Sequence, residues 1–207
     1  MTAMVCQRDG VDLGMLVPNA DERVLITCDW DSYETQLSLR GERSRPKLAY
    51  LDGVLEIMSP SPHHENIKSR IGMVIEAYLV CANKKGGPRG GPTLRRRLKE
   101  AGAEPDESYS FVKFDADNPA TPDLVIEVNW TRGGIDKLEI YRRLEVREVW
   151  FWETDVISVH VLGPDGYAVR ERSSLLPDLD LDLVLRLLEI DDVVDLHAAM
   201  REALTAR

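Results

Sequence analysis

The stretch TPDLVIEVNWTRGGIDK, residues 121–137, decides how the chain is read. Leu124, Val125, Ile126 and Val128 make an apolar run bounded by Pro122 and Gly133-Gly134, the signature of a β-strand. Side chains alternate along a strand. Leu124, Ile126, Val128 and Trp130 therefore point one way, and Asp123, Val125, Glu127 and Asn129 the other. Such a polar face ordinarily meets water. Here, however, a short Gly-rich turn brings in Lys137 at the start of a helix whose buried stripe is Ile135, Leu138, Tyr141 and Leu144.

A carboxylate with an ammonium nearby is the minimum apparatus for metal-assisted attack on a phosphodiester. The carboxylate holds a hard divalent cation, Mg²⁺ or Mn²⁺, which activates water. Cation and lysine together neutralise charge building on the phosphate oxygens. One carboxylate is too few. Asp123 is a poor second ligand for the ion at Glu127, because four residues of strand span roughly 13 Å. A partner is expected from an adjacent strand. Asp106, in EPDESYSF, starts the preceding one, and Glu65, in the first turn of a long helix, could close the site from above.

Working outward, VLITCDWDSYETQLSLRGE reads as a short strand and a helix capped near Asp29 or Asp31 that stops at Gly41. KLAYLDGVLEIMS is a hairpin turning at Asp52-Gly53. Ser61 is an N-cap and Pro62 a first helical residue for a helix to about residue 83. Strands are expected in TLRRRL, SYSFVKF and REVWFWE, a hairpin around GPDG at 163–166, and a helix from about Asp191 to Arg207. The order predicts a mixed α/β (α+β) fold with a sheet flanked by helices, as an arm over 1–25 and one domain over 26–207.

Within 207 residues, no window approaches the 18 consecutive apolar residues of a membrane span, and the first thirty carry acids where a secretory signal needs bases. Three scattered cysteines fit neither a disulfide framework nor a zinc site, so a cytoplasmic location is expected. The net charge of −10 argues against indiscriminate nucleic-acid binding. Residues 84–99 nevertheless hold seven bases and no acid, and Lys84, Lys85, Arg89, Arg95, Arg96 and Arg97 are the candidate nucleic-acid contacts. A solvated loop is the competing reading.

LDGVLEIMSPSPHHE, EPDESY, PDLVIEV and DKLEIYRRLEVREVWFWE, in that order, resemble the Uma-type family of restriction endonucleases, a branch of the PD-(D/E)xK nuclease superfamily. The resemblance covers about residues 30–175 and implies a restriction-endonuclease-like core and a DNA endonuclease activity. It implies that Asp106 is the motif's first acid, Glu127 its second and Glu65 the helix-borne acid, these three binding Mg²⁺. The superfamily's lysine stands two residues after the second acid, where this chain has Asn129. The resemblance places that lysine on the next helix, at Lys137. Asp123, Asn129 and Tyr141 are secondary candidates, Tyr141 being read chiefly as packing.

His63 and His64 read as surface residues of a helix's first turn, because adjacent helical residues do not face one another. His160 and His197 read as structural, and Trp150 and Trp152 as core or interface. Two other functions compete with the nuclease. One is an inactive nuclease fold used as a binding module, which Asn129 and the acidic charge favour. The other is an oligomeric structural protein. Double-strand cleavage would ordinarily need two active sites, hence a homodimer.

Overall fold

The structure is a computed structural model, in which residues 20–112, 121–129 and 134–206 are described. Strand β1 (Glu22–Thr27) leads into helix α1 (Trp30–Arg40), capped by Asp29, whose side chain accepts the Ser32 N–H at 2.9 Å. Strands β2 (Lys47–Leu51) and β3 (Val54–Ser59) form the hairpin; Asp52 and Gly53 take φ of 45° and 85°, as a type I′ turn demands. Ser61 caps helix α2 (Pro62–Cys81) by accepting the His64 N–H at 3.2 Å.

Short strands β4 (Gly87–Pro88), β5 (Leu94–Arg96), β6 (Ala101–Ala103) and β7 (Glu107–Ser110) precede β8 (Leu124–Val128). Helix α3 (Lys137–Arg143) then crosses to β9 (Glu148–Glu153), which runs parallel to β8; such a pair needs a crossover of this kind. The hairpin of β10 (Val156–Gly163) and β11 (Gly166–Arg170) and helices α4 (Leu181–Leu187) and α5 (Val193–Thr205) complete the chain.

The expected mixed α/β architecture is present, but as two sheets. One has the order β1-β3-β2-β6-β5 and the other β11-β10-β9-β8-β7-β4. Alternation along β8 sorts the core. Leu124, Ile126 and Val128 pack with Trp150 and Trp152 beneath α2, α4 and α5. Val125 faces the other way, with Val149, towards Ile140 and Tyr141 of α3 and Ala49, Ala101 and Ala103 of the first sheet. Helix α3 is thus wedged between the sheets, while α1 covers the far face of the first sheet through Trp30, Tyr33 and Leu37.

Strand β6 and helix α4 were not anticipated. A three-residue strand of Ala and Gly has no period to detect, and α4 is a seven-residue helix inside an acidic, leucine-rich tail. The strand expected through SYSFVKF ends at Ser110, and residues 113 and 114 of that stretch lie outside the described residues. The N-terminal boundary expected at residue 25 falls inside β1, which pairs with β3 along its whole length; residues 1–19 of the expected arm lie outside the described residues. Among the described residues no helix is long and apolar enough to cross a membrane.

Candidate active site

Strand β7 pairs antiparallel with β8 in the register Glu107↔Ile126, so the next pair outward sets Asp106 opposite Glu127. Directly opposed residues of an antiparallel pair share a face and stand close together. Both carboxylates therefore point to the α3 side, and both are buried, at 3% exposure each. The polar face of β8 does not meet water.

Asp136 caps α3 by accepting the Glu139 N–H at 3.0 Å, which makes Lys137 the first helical residue and aims it back over the carboxyl end of β8. Its Nζ lies 3.5 Å from Glu127 Oε2. One turn on, the Tyr141 hydroxyl donates to Glu127 Oε1. Tyr141 thus holds the carboxylate instead of merely packing. Glu56, buried at 2% exposure on β3, comes in from the first sheet and accepts the Ile135 N–H at 3.0 Å through Oε2. Gly134, at φ +104°, runs against Glu56 and Arg23 where a Cβ would collide with both side chains.

Asp106 is held from three sides. Lys47 Nζ pairs with Oδ1, while Oδ2 accepts the Val128 N–H at 2.8 Å and lies 3.0 Å from His64 Nε2. His64 is fully buried, and its Nδ1 is 3.1 Å from Asp21 Oδ2. It belongs to the interior, a correction to the surface reading of the first turn of α2. Glu65, its neighbour, pairs with Lys68 at 2.8 Å and Arg45 at 3.3 Å and lines a cavity that Lys47 and Asp106 also border, whereas Glu127 and Lys137 line another.

The electrostatics follow from this arrangement. Burial works against ionisation of Asp106, but Lys47 and His64 outweigh it and hold its carboxyl well below the usual range. Burial pushes Glu127 up, Lys137 opposes this, and Asp106 adds to the rise. Burial would lower Lys137, yet Glu127, Glu56 and Asp106 together keep it above its ordinary value, so its ammonium stays charged. His64 is depressed by burial but raised further by Asp106 and Asp21, to about 9.

A cavity of about 390 Å³ opens at this point, lined by Glu56, Glu127, Asp136 and Glu153 against Arg23 and Lys137. Four acids against two bases suit a hard divalent cation, and an entering phosphodiester would add further negative charge. As the side chains stand, no three acid, imidazole or thiol groups among the described residues are close enough to hold one ion. The donor chemistry fits; an ion would compete with Lys47 for Asp106 and with Lys137 for Glu127.

A family model described as "Uma2: Putative restriction endonuclease" matches residues 30–193. The chain belongs to the Uma2 family. That membership supports a nuclease function. Among solved structures, "a putative nuclease belonging to DUF820" from Anabaena variabilis is similar, with 15% identity and a TM-score of 0.49 over 79% of this chain and 96% of that one. No curated protein matches.

In this Uma2 protein the remaining candidates are placed as follows. Asp123 sits at the other end of β8, where it accepts the Phe111 N–H at 2.8 Å and pairs with Arg147 at 3.0 Å. Asn129 lines the Glu127 cavity, as does His160, whose Nε2 is 3.1 Å from Ser158 Oγ. In the basic segment three of the seven bases pair with acids: Arg95 with Glu34, Arg96 with Glu145 and Arg97 with Asp31, at 3.3, 2.8 and 2.7 Å. Lys84 lies over the Phe111 ring, and Arg89 donates to the Val112 carbonyl. Lys85 borders none of the cavities described above. Sequence reasoning passed over Glu56, Lys47 and Asp21, and set His64 at the surface. For Glu56 the signal existed, since it is a carboxylate inside an apolar strand, as Glu127 is.

Proposed function

We propose that this chain is a divalent-metal-dependent nuclease that hydrolyses phosphodiester bonds in DNA, with Asp106, Glu127 and Lys137 at its centre, Glu65 beside Asp106 and Glu56 beside Glu127 in the two adjoining cavities. The observation that carries the reading is the facing pair Asp106 and Glu127, buried on one side of β7–β8, with the Lys137 ammonium 3.5 Å from Glu127. Asp106 and Glu127 would hold Mg²⁺ or Mn²⁺, with Glu56, which lines the cavity at Glu127, a further donor from the first sheet. When bound, such an ion supplies Lewis acidity at the phosphate and acidifies a coordinated water.

The chain's own residues then have separable tasks. Lys47 and His64 keep Asp106 ionised and oriented. Tyr141 occupies Glu127 Oε1, leaving Oε2 on the Lys137 side to orient the attacking water. The raised basicity of Glu127 suits it to accept that water's proton. Lys137, kept charged, donates to the phosphate oxygen on which charge builds.

Incubation of plasmid and short oligonucleotides with Mg²⁺ or Mn²⁺ tests this. Wild type should cleave. Glu127→Gln should lose roughly 10²–10⁴-fold in rate, and Lys137→Ala roughly 10²–10³-fold. A wild type inert with both metals, or a Glu127→Gln protein as active as wild type, sinks the proposal. The grip of Lys47 on Asp106 favours a second reading, an inactive binding module, which requires DNA retention without cleavage under the same conditions.

A further inference from the structure

His64 bridges two carboxylates from distant parts of the chain, and nothing in the cleavage chemistry above uses Asp21. The imidazole is fully buried in the first turn of α2, with Nδ1 3.1 Å from Asp21 Oδ2 and Nε2 3.0 Å from Asp106 Oδ2. Asp21, the residue before β1, is tied down in turn: its Oδ1 accepts the Ser61 N–H at 2.8 Å and its Oδ2 lies 3.6 Å from Arg23. Two acids and an imidazole in the interior are a poor device for stability alone, since well-packed apolar groups of similar volume commonly do as well or better. Their arrangement does determine where Asp106 points. Oδ2 accepts the Val128 N–H, next in sequence to Glu127, and has His64 Nε2 at an ion-pair distance of 3.0 Å without hydrogen-bond alignment, so the oxygen of Asp106 left to change partners is Oδ1, on the Lys47 side.

We propose that Asp21 and His64 are positioning residues. Asp21 orients the His64 ring, and His64 holds Asp106 Oδ2 so that Oδ1 is presented to the cation. This rests on the nuclease reading above and extends it to the segment preceding β1. Partners one shell out from a metal ligand commonly change affinity or activity by 10–100-fold when removed.

The test uses the full-length protein, with His64→Gln, Asp21→Asn and the double variant. Mn²⁺ binding is followed by electron paramagnetic resonance in the absence of DNA, and kcat and KM are measured on one oligonucleotide. Each single variant should weaken Mn²⁺ binding and lower kcat by about 10–100-fold, with KM within about twofold. The double variant should be no worse than His64→Gln, because Asp21 acts through His64. Wild-type binding that persists unchanged in both single variants, with unchanged kcat, makes the pair a structural clamp and overturns the proposal. A wild type that binds no Mn²⁺ and cleaves nothing overturns the nuclease reading and this proposal with it. If the variants fail to fold, the His64 Nε2 resonance of ¹⁵N-histidine-labelled wild type should shift on Mg²⁺ addition; a resonance that stays put overturns the proposal.

Discussion

Glu127 shows how one side chain can be costly to the fold and central to the site. A carboxylate at 3% exposure in an apolar strand is tolerated only with charge and hydrogen-bond partners, which Lys137 and Tyr141 supply from a single helix. The two differ in kind. Lys137 offers a charge, whereas the Tyr141 phenol, pushed well above its ordinary pKa by burial and by Glu127, stays neutral and donates its proton to the carboxylate. Tyr141→Phe should therefore keep the packing of the ring and free Oε1. We expect kcat to fall by about 10–100-fold with substrate KM unchanged, since a hydrogen bond to a charged group contributes about 1.5–3 kcal/mol. Equal kcat in Tyr141→Phe and wild type would reduce Tyr141 to packing.

At the scale of elements, α3 is the part on which the site depends most. It supplies Lys137 and Tyr141, and it is anchored away from them by Arg143, which pairs through both terminal nitrogens with Asp52 in the β2–β3 turn at 2.6 Å. Glu139 stiffens the same helix by binding Arg142 and Arg143, and these two hold its carboxyl down to about 2. A carboxylate depressed in the folded state adds stability that is present above the unfolded pKa, near 4.5, and lost as pH falls towards 2. Glu139→Gln should be less stable than wild type by under about 1 kcal/mol at pH 7, because the cluster is partly solvated. The gap should close between pH 4.5 and about 2. Urea midpoints of the two proteins across that range provide the check; a gap that stays constant in acid would exclude the ion pairs as its cause.

At the scale of the whole molecule, acidity and site are linked. The net charge is −10, and the cavity at Glu127 carries four acids against two bases. Approach of a polyanion is therefore opposed until a cation enters, and the arginines of residues 95–97, each paired with an acid, offset little of that field. Binding linkage gives a measurable consequence. At Mn²⁺ 100 times above its Kd the folded state gains about 2.7 kcal/mol, a rise in Tm of roughly 5–10 °C for a chain of this size. Wild type should show that rise and chelator should reverse it; Glu127→Gln should show neither. A flat wild-type Tm at millimolar Mn²⁺ would remove the ion from the proposed chemistry.

The sequence by itself determined what depends on neighbours along the chain. The cap at Ser61, the Asp52-Gly53 turn and the two-residue alternation of β8 are local geometry, and each is found where the residues place it; of the two caps open for α1, Asp29 and Asp31, it is Asp29 that caps. Only the tertiary structure decided which acids meet. Glu65 and His64 are adjacent in one helical turn, so about 100° of rotation separates them. Which of the two turns inward depends on how α2 seats on the second sheet, a matter of packing with no trace in local sequence. Likewise Glu56, Lys47 and Asp21 reach the site from the first sheet and the residue before it, and the pairing of strands far apart in sequence set their distance from Glu127.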